Sequence, residues 1–297
     1  MQLITKQVPM DFNLFLFGDD HEGSVLRHDE GWEKLVDMML HKYDGCKNNI
    51  GVDHGDIVEA IPNSDPRYFD LAEKDKILDQ IDNAVKNRER IKNLLAVIMD
   101  GNHPDKYWRY GNITKKICER LGVPYGTRSA HITYRKKNGS TMFRHYAVHG
   151  YRSITSTADD PIRQLSNMQL ILKRHLKNKF ADCALMSKGH THKLIVSRPS
   201  ERLYMTATNR IHQNYTDYDI AARYIHPDHR WYVNTGSFLR QFALGWSGYG
   251  EVAEYDPLEL GFAIAKIRDG QIIDIERIVL ETPKNQHADV DGREENQ

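Results

Sequence analysis

Stretches of apolar residues that end at a glycine-bearing turn recur along this chain, and each turn carries side chains that can bind a metal. The run 14–17 leads into Gly18-Asp19-Asp20-His21, the weaker segment 49–52 into Asp53-His54-Gly55-Asp56, and the run 94–99 into Asp100-Gly101-Asn102-His103. Short continuous apolar runs are typical of strands buried on both faces. In open α/β sheets, sites form where loops leave the carboxyl ends of strands. The pattern therefore predicts an α/β fold with a site at these turns.

Two later fragments, His149-Gly150 and Gly189-His190-Thr191-His192, complete an ordered set of five. Together the fragments offer aspartates, an asparagine and several histidines, a mixture of ligands that suits two divalent transition-metal ions. The ordered set resembles the calcineurin-like metallophosphoesterase superfamily. The pattern of that superfamily runs Asp-x-His, Gly-Asp-x-x-Asp, Gly-Asn-His-Asp/Glu, a histidine before glycine, and Gly-His-x-His. The resemblance covers about the first two thirds of the chain, and Asn234-Thr235-Gly236-Ser237 is similar to a turn of phage-borne and bacterial members.

This resemblance implies an architecture and a role for each matching residue. The implied fold is a four-layer αββα sandwich, in which two packed mixed β-sheets are flanked by helices. Asp19, His21, Asp56 and His192 would bind one metal ion, and Asp56, Asn102, His149 and His190 would bind the second, with Asp56 as the bridge. His103 would protonate the leaving oxygen, because a histidine has a proton available near neutral pH. Mn²⁺ is the favoured ion, and Fe, Ni²⁺ or Zn²⁺ also suit a mixed nitrogen and oxygen shell.

The chain departs from the superfamily pattern at two positions. Glu59 ends the second block, where the pattern has an aspartate, and Pro104 ends the third block, where many members have a carboxylate that orients the catalytic histidine. Asp100 and Asp105 are the neighbouring carboxylates that are candidates for that orienting role.

The implied activity is the hydrolysis of a phosphodiester or phosphomonoester by in-line attack of a metal-bridging hydroxide. A phosphorylated small molecule, a nucleotide or a short oligonucleotide is the favoured substrate. One alternative is a DNA exonuclease or endonuclease that resembles the double-strand-break-repair nucleases. Another is a non-catalytic metal-binding scaffold. Lys plus Arg and Asp plus Glu both number 41, and a chain without net charge gives no general support for tracking along a nucleic acid.

Hydrophobic periodicity predicts the remaining elements. We expect helices from Trp32 to about 43–45, over 68–93, over 113–121 and from Pro161 with Asp160 as N-cap. We expect hairpins over 130–148, where Asn138-Gly139 is the turn, and over 262–275. Asp53 and His54 are interpreted as solvated loop residues, and the aromatic side chains of 200–250 as core and rim packing with a base-stacking role as the alternative.

Residues 1–282 are expected to form a single domain, followed by a disordered polar tail over 283–297. Cys46, Cys118 and Cys183 have neither metal nor disulfide spacing, which fits a reducing compartment. No apolar run approaches the ~20 residues that cross a bilayer, and no leader segment is recognisable. We therefore expect a cytoplasmic protein without a membrane partner, and the sequence leaves its oligomeric state open.

Overall fold

A computed structural model describes residues 1–62 and 76–280 of the chain. The helices are α1 (Asp29–Leu40), α2 (Ile77–Glu89), α3 (Ile113–Leu121), α4 (Pro161–Leu176) and the short α5 (Tyr249–Val252), with 3-10 turns at Lys92–Leu94, Pro104–Tyr110 and Pro227–His229. The strands are β1 (Gln2–Gln7), β2 (Phe12–Phe17), β3 (Asn49–Asp53), β4 (Leu95–Ile98), β5 (Ser129–Arg135), β6 (Thr141–Val148), β7 (Leu185–Lys188), β8 (Leu194–Ser197), β9 (Leu203–Ala207), β10 (Ile211–Tyr215), β11 (Trp231–Thr235), β12 (Phe242–Ala243), β13 (Trp246–Ser247), β14 (Gly261–Arg268) and β15 (Gln271–Val279).

Two mixed sheets form the centre of the described structure. One sheet has the strand order β15-β14-β2-β3-β4, and the other has the order β1-β5-β6-β7-β11-β8. Strands β2, β3 and β4 run parallel, so their carboxyl ends share one edge. Strands β6, β7 and β11 are also parallel to one another. The two pairs β9–β10 and β12–β13 are separate antiparallel ribbons.

The sheets pack face to face through one apolar core. Leu14 and Val52 of the five-stranded sheet belong to the same buried cluster as Ile132 and Val233 of the six-stranded sheet. A second cluster joins the other face of the five-stranded sheet to α1, α2 and α3. A third joins the six-stranded sheet to α4. The predicted α/β fold with mixed sheets flanked by helices is therefore confirmed.

Most of the predicted elements lie where periodicity placed them. All six residues of β2 are buried, as a continuous apolar run predicts. The side chain of Asp160 caps α4 by accepting a hydrogen bond from the backbone N–H of Arg163 at 2.8 Å. Both predicted hairpins are present, as β5–β6 and β14–β15.

Two predicted helices have other bounds in the structure. Helix α1 stops at Leu40, a few residues before the predicted end. Helix α2 covers part of the predicted helix over 68–93. Residues 63–75 lie outside the described residues, and so does the predicted tail over 283–297.

Within the described residues, no helix has both the length and the apolar character needed to cross a bilayer.

The aromatic residues of 200–250 divide between core and surface. Trp231 and Tyr232 are buried, whereas Tyr204 and Tyr215 are exposed on the β9–β10 ribbon. None of the aromatic side chains of 200–250 that the structure describes lines the cavity beside the candidate metal-binding residues.

Candidate metal centre

The predicted site residues all follow the carboxyl ends of central strands. Asp19 and His21 follow β2, Asp56 follows β3, and Asn102 and His103 follow β4. His149 follows β6, and His190 and His192 follow β7. Because the two sheets pack against each other, these five loops meet, and the residues predicted as ligands form two adjacent groups.

The first group consists of Asp19, His21 and His192, which are buried. The Nε2 atoms of the two imidazoles are 3.2 Å apart, and Nε2 of His192 is 3.6 Å from Oδ1 of Asp19. The donor atoms of the three residues all lie within 4.8 Å of one another. Two buried imidazole nitrogens that face each other beside a carboxylate suit a shared cation.

The second group consists of Asp56, His149 and His190, with Asn102 between the two rings. The Nε2 atom of His149 is 3.3 Å from Oδ2 of Asp56 and 3.0 Å from the side-chain oxygen of Asn102. That oxygen is 2.6 Å from Nδ1 of His190. Two nitrogen and two oxygen donor atoms therefore converge, a mixture that suits a divalent ion.

Charge in the site favours ionised carboxylates. Burial raises the pKa of Asp56, but the neighbouring imidazoles of His149 and His103 outweigh burial and hold the pKa well below its usual range. For Asp19, burial is outweighed in the same way, by His192 and His149, and its pKa is lowered. Burial lowers the pKa of His149, but Asp56 outweighs it and raises the pKa to about 9. A metal ion at this position would displace the imidazole proton, so binding would release protons.

Hydrogen bonds behind the ligands fix which ring nitrogen faces inward. Nδ1 of His149 donates to the backbone carbonyl oxygen of His54 at 2.7 Å, because a carbonyl oxygen can only accept. Nδ1 of His21 lies 2.7 Å from Oε2 of Glu59. Both contacts leave Nε2 for the centre of the site, and hydrogen bonds to the other ring nitrogen set the orientation of an imidazole and raise its basicity as a metal ligand.

Five of the candidate metal-binding residues have a left-handed backbone conformation, which residues other than glycine rarely adopt. Asp19, His21, Asp56, His190 and His192 have φ angles of 53°, 49°, 48°, 72° and 56°. Such left-handed conformations persist where the surrounding structure determines them, and they cluster at functional sites. Gly101 is required nearby, since a Cβ atom there would lie 2.0 Å from Oδ1 of Asp56.

His103 lies beside the two groups in a different role. Its backbone N–H donates to Oδ1 of Asp56 at 2.8 Å, and Nδ1 of its ring donates to the backbone oxygen of Glu59 at 2.6 Å. Burial lowers the pKa of His103 to about 4. The ring centroid is 4.5 Å from that of His21, in an edge-to-face arrangement. His103 thus lies beside the two groups, and its Nε2 is on the side of the ring away from the backbone oxygen of Glu59.

The two carboxylates predicted as candidates to orient His103 bond elsewhere. Oδ2 of Asp100 accepts hydrogen bonds from Tyr125 at 2.6 Å and Asn112 at 2.8 Å. Asp105 pairs with Arg128 at the surface. Glu59 supplies the contact instead, through its main chain. In the sequence, Glu59 stands out only because it departs from the superfamily pattern at the end of the second block. Spacing alone does not reveal its two partners, His21 and His103.

Asp53 and His54 are not solvated loop residues, so that interpretation is wrong. Both are fully buried. Asp53 accepts from Nε of Arg88 at 2.9 Å, and Asp20 accepts from Nη2 of the same guanidinium at 2.6 Å. Arg88 thereby ties α2 to the two loops that carry Asp19 and Asp56. Its guanidinium also lies 4.6 Å from the centre of the Trp32 ring.

His54 takes part in a second buried contact behind the site. Nε2 of His54 and Nε2 of His145 lie 2.5 and 2.6 Å from the hydroxyl oxygen of Ser187. Burial lowers the pKa of His54 to about 4. Ser187 therefore links β6 and β7 to the loop whose carbonyl orients His149.

A further group of side chains, His131, Asp182 and Cys183, brings three donor atoms together away from the site. Asp182 already pairs with Arg144 at 3.4 Å. Burial raises the pKa of the Cys183 thiol, which opposes the thiolate form that binds metals. This group is better explained as polar packing.

A cavity of about 370 Å³ opens onto the metal-ligand groups. Five of the predicted site residues line it: Asp56, Asn102, His103, His190 and His192. The rest of the lining comes from residues 153–155 and from Thr191, Lys193, Gln241, Tyr255, Asp256 and Leu258.

Comparison with known proteins adds no family assignment. No protein-family model matches the chain, and no curated protein matches it significantly.

Proposed function

We propose that this protein is a dinuclear metal-dependent phosphoesterase of the calcineurin-like kind. One observation carries the proposal: two groups of imidazole and carboxylate donors, Asp19/His21/His192 and Asp56/His149/His190, lie beside one cavity, and His192, Asp56 and His190 line it together with Asn102 and His103. Five loops contribute these residues, and each lies in the chain order of the superfamily pattern. The packing of helices on the outer faces of both sheets is consistent with the αββα sandwich of that superfamily.

In this proposal, Asp19, His21, Asp56 and His192 hold one divalent ion, and Asp56, Asn102, His149 and His190 hold the other. Two such ions, with Mn²⁺ favoured, would polarise a phosphoryl group and supply the hydrolytic nucleophile at neutral pH. Asp56 is the proposed bridge because its carboxylate has two oxygens and lies next to both groups. Glu59 and the His54 carbonyl hold the rings of His21 and His149 with Nε2 facing inward.

His103 is the proposed proton donor to the leaving oxygen. The carbonyl oxygen of Glu59 occupies Nδ1, which directs Nε2 toward the position of the substrate. Burial favours the neutral ring of His103 in the free protein. An anionic phosphate beside it would favour the charged form, because an opposite charge within a few ångströms raises the pKa of a histidine.

The favoured substrate is a nucleotide, a short oligonucleotide or another small phosphate ester. A cavity of about 370 Å³ is at the low end of the range that holds small molecules. The alternative of a nuclease that tracks along a duplex needs a basic surface, and the balanced charge of the chain does not favour one. The clusters Arg135-Lys136-Lys137 and Lys173-Arg174 lie on different elements, β5 with its turn and α4.

Chelation followed by restoration tests the proposal directly. We expect EDTA to abolish hydrolysis of bis-p-nitrophenyl phosphate and Mn²⁺ to restore it, with about two ions bound per chain at saturation. Two bound ions without hydrolysis of this ester, of a nucleotide panel or of DNA would favour the scaffold alternative. Failure to bind divalent metal would contradict the proposal altogether.

A further inference from the structure

The β9–β10 ribbon turns an apolar face to solvent. Residues directly opposite each other on antiparallel strands share one face of a sheet. Three such pairs form the outer face of the ribbon: Leu203 with Tyr215, Met205 with Gln213, and Ala207 with Ile211. This face has no charged side chain, and its large apolar side chains are well exposed: Leu203 (53%), Tyr215 (62%), Met205 (67%) and Ile211 (73%).

The inner face of the ribbon is the more polar and the more sheltered of the two. Along β10, His212 and Asn214 on the inner face are half-buried, whereas Ile211, Gln213 and Tyr215 on the outer face are exposed. An antiparallel sheet with one face in solvent normally places its apolar side inward, and this ribbon does the reverse. A contiguous exposed apolar patch marks an interaction site. The reversal therefore indicates that another molecule covers the outer face.

The ribbon is fixed at its base. Arg202 forms an ion pair with Asp228, and the hydroxyl oxygen of Thr216 lies 3.1 Å from Nε2 of His229. Among the described residues, the ribbon pairs with no third strand. A two-stranded ribbon is marginally stable alone and is stabilised when a surface packs against its apolar face. The base thus holds the outer face in place for a partner.

Charges at the two ends of the ribbon indicate which partner fits. Arg210 lies at the tip, next to the start of β10, whereas Glu201 and Asp217 lie at the base, two positions outside β9 and β10. All three are exposed, and none forms an ion pair within the part of the chain that the structure describes. When two ribbons pack antiparallel about a two-fold axis, the tip of each meets the base of the other. Each Arg210 then faces two carboxylates, so the ribbon is complementary to a second copy of itself.

The same residues disfavour other kinds of partner. A nucleic acid is bound through several cations that neutralise its phosphates, but the outer face has none and its base carries two carboxylates. An element that enters a membrane presents apolar residues to the lipid, but the tip of this ribbon is Thr208-Asn209-Arg210.

We propose that two copies of this chain associate through the outer faces of their β9–β10 ribbons, packed antiparallel about a two-fold axis. Met205 lies at the centre of this interface. Leu203 and Tyr215 of one copy pack against Ala207 and Ile211 of the other. An interface of this size is at the small end of the range for specific association, so the dimer forms in a concentration-dependent equilibrium. The inference is independent of the proposed function, because no residue of the ribbon lines the cavity.

Sedimentation velocity of the full chain over about 1–100 µM tests the proposal. We expect an equilibrium between monomer and dimer in this range. Met205→Lys places a charge at the centre of the interface and should raise the dissociation constant about 30-fold, the scale of a central interface residue. Ile273→Lys, at an apolar residue of β15 that is 55% exposed, is the matched control and should leave the equilibrium unchanged. A chain that stays monomeric throughout, or a dimer that Met205→Lys leaves intact, would overturn the proposal.

A charge exchange tests the antiparallel arrangement with milder substitutions. Arg210→Glu should raise the dissociation constant about 3–10-fold, because it sets like charges against each other at both ends of the interface. Adding Glu201→Arg to that variant should recover most of the loss. If the ribbons packed in parallel, Arg210 would face its own copy and the second substitution would give no recovery, which would contradict the arrangement. Circular dichroism verifies that each variant is folded, and hydrolysis of bis-p-nitrophenyl phosphate tests the proposed function separately.

Discussion

Nδ1 of His21 lies 2.7 Å from Oε2 of Glu59, and both side chains are buried. The pair directs Nε2 of His21 toward His192, 3.2 Å away. Glu59 also accepts from the His103 ring through its main-chain oxygen. One residue therefore holds a metal-ligand candidate through its side chain and the proposed proton donor through its backbone.

Glu59→Gln should weaken metal binding and leave the position of His103 unchanged. The substitution removes the carboxylate that orients His21 but keeps the backbone oxygen. Loss of a hydrogen-bond partner that orients a metal-binding histidine typically lowers metal affinity about 10–100-fold, and titration with Mn²⁺ would measure this change. Glu33→Gln, at an exposed carboxylate that pairs with Arg90, is the control. Unchanged affinity in Glu59→Gln would show that the contact with His21 does not support the site.

Asp56→Asn should reduce occupancy of both metal positions. The carboxylate lies next to both donor groups, and an amide is a poor bridge because it is neutral and offers one oxygen. Metal analysis after dialysis would measure the number of bound ions per chain, together with hydrolysis of bis-p-nitrophenyl phosphate. Two tightly bound ions and full activity in this variant would contradict the dinuclear arrangement.

His103→Ala should keep both ions and lose turnover by about 10²–10⁴, the usual worth of a general acid. The loss should be smaller for esters of nitrophenolate, which leave with little protonation, than for esters of alkyl alcohols. Comparing the two substrate types at constant metal content checks this prediction. Loss of an ion in the variant would make His103 a ligand instead.

Asp100→Asn and Asp105→Asn extend the same experiment. Because these carboxylates bond Tyr125, Asn112 and Arg128, the pH dependence of turnover should not change in either variant. A displaced pH profile would assign one of them the orienting role after all.

Arg88→Met should destabilise the fold by about 3–5 kcal/mol, because it leaves the buried carboxylates of Asp20 and Asp53 without their partner. Denaturant unfolding would measure the change in the free energy of unfolding. Arg90→Met removes an exposed pair with Glu33 and should cost less than about 1 kcal/mol. Equal effects of the two substitutions would mean that Arg88 does not hold the loops together.

Salt dependence distinguishes a small-substrate enzyme from a duplex nuclease. A protein that contacts 6–10 phosphates loses about 10³–10⁵ in affinity between 50 and 200 mM salt. For a nucleotide ester or short oligonucleotide we expect kcat/KM to change less than about tenfold over that range. Long duplex DNA should be no better per phosphodiester. A steep salt slope together with preference for long duplex would instead support the nuclease alternative.

The sequence by itself determined the placement of the candidate ligands along the chain. Apolar runs predict buried strands, and glycines such as Gly101 predict the turns that follow them. Both signals are local, so Asp19, Asp56 and Asn102 could be assigned to strand ends in advance. The hairpin turn at Asn138-Gly139 and the cap of α4 by Asp160 were predictable for the same reason, since each depends on a few adjacent residues.

Only the tertiary structure decided which side chains surround and orient those ligands. His21 and Glu59 are 38 positions apart, and Arg88 and Asp20 are 68 apart, so no local pattern relates them. Spacing indicated a solvated role for Asp53, yet packing of α2 against the two loops buries both Asp53 and Arg88. The cavity wall at Gln241 depends in the same way on a distant loop that folding brings over the strand ends. Which residues are buried, and which side chains they contact, depends on the surfaces that pack together. That packing depends on the whole chain.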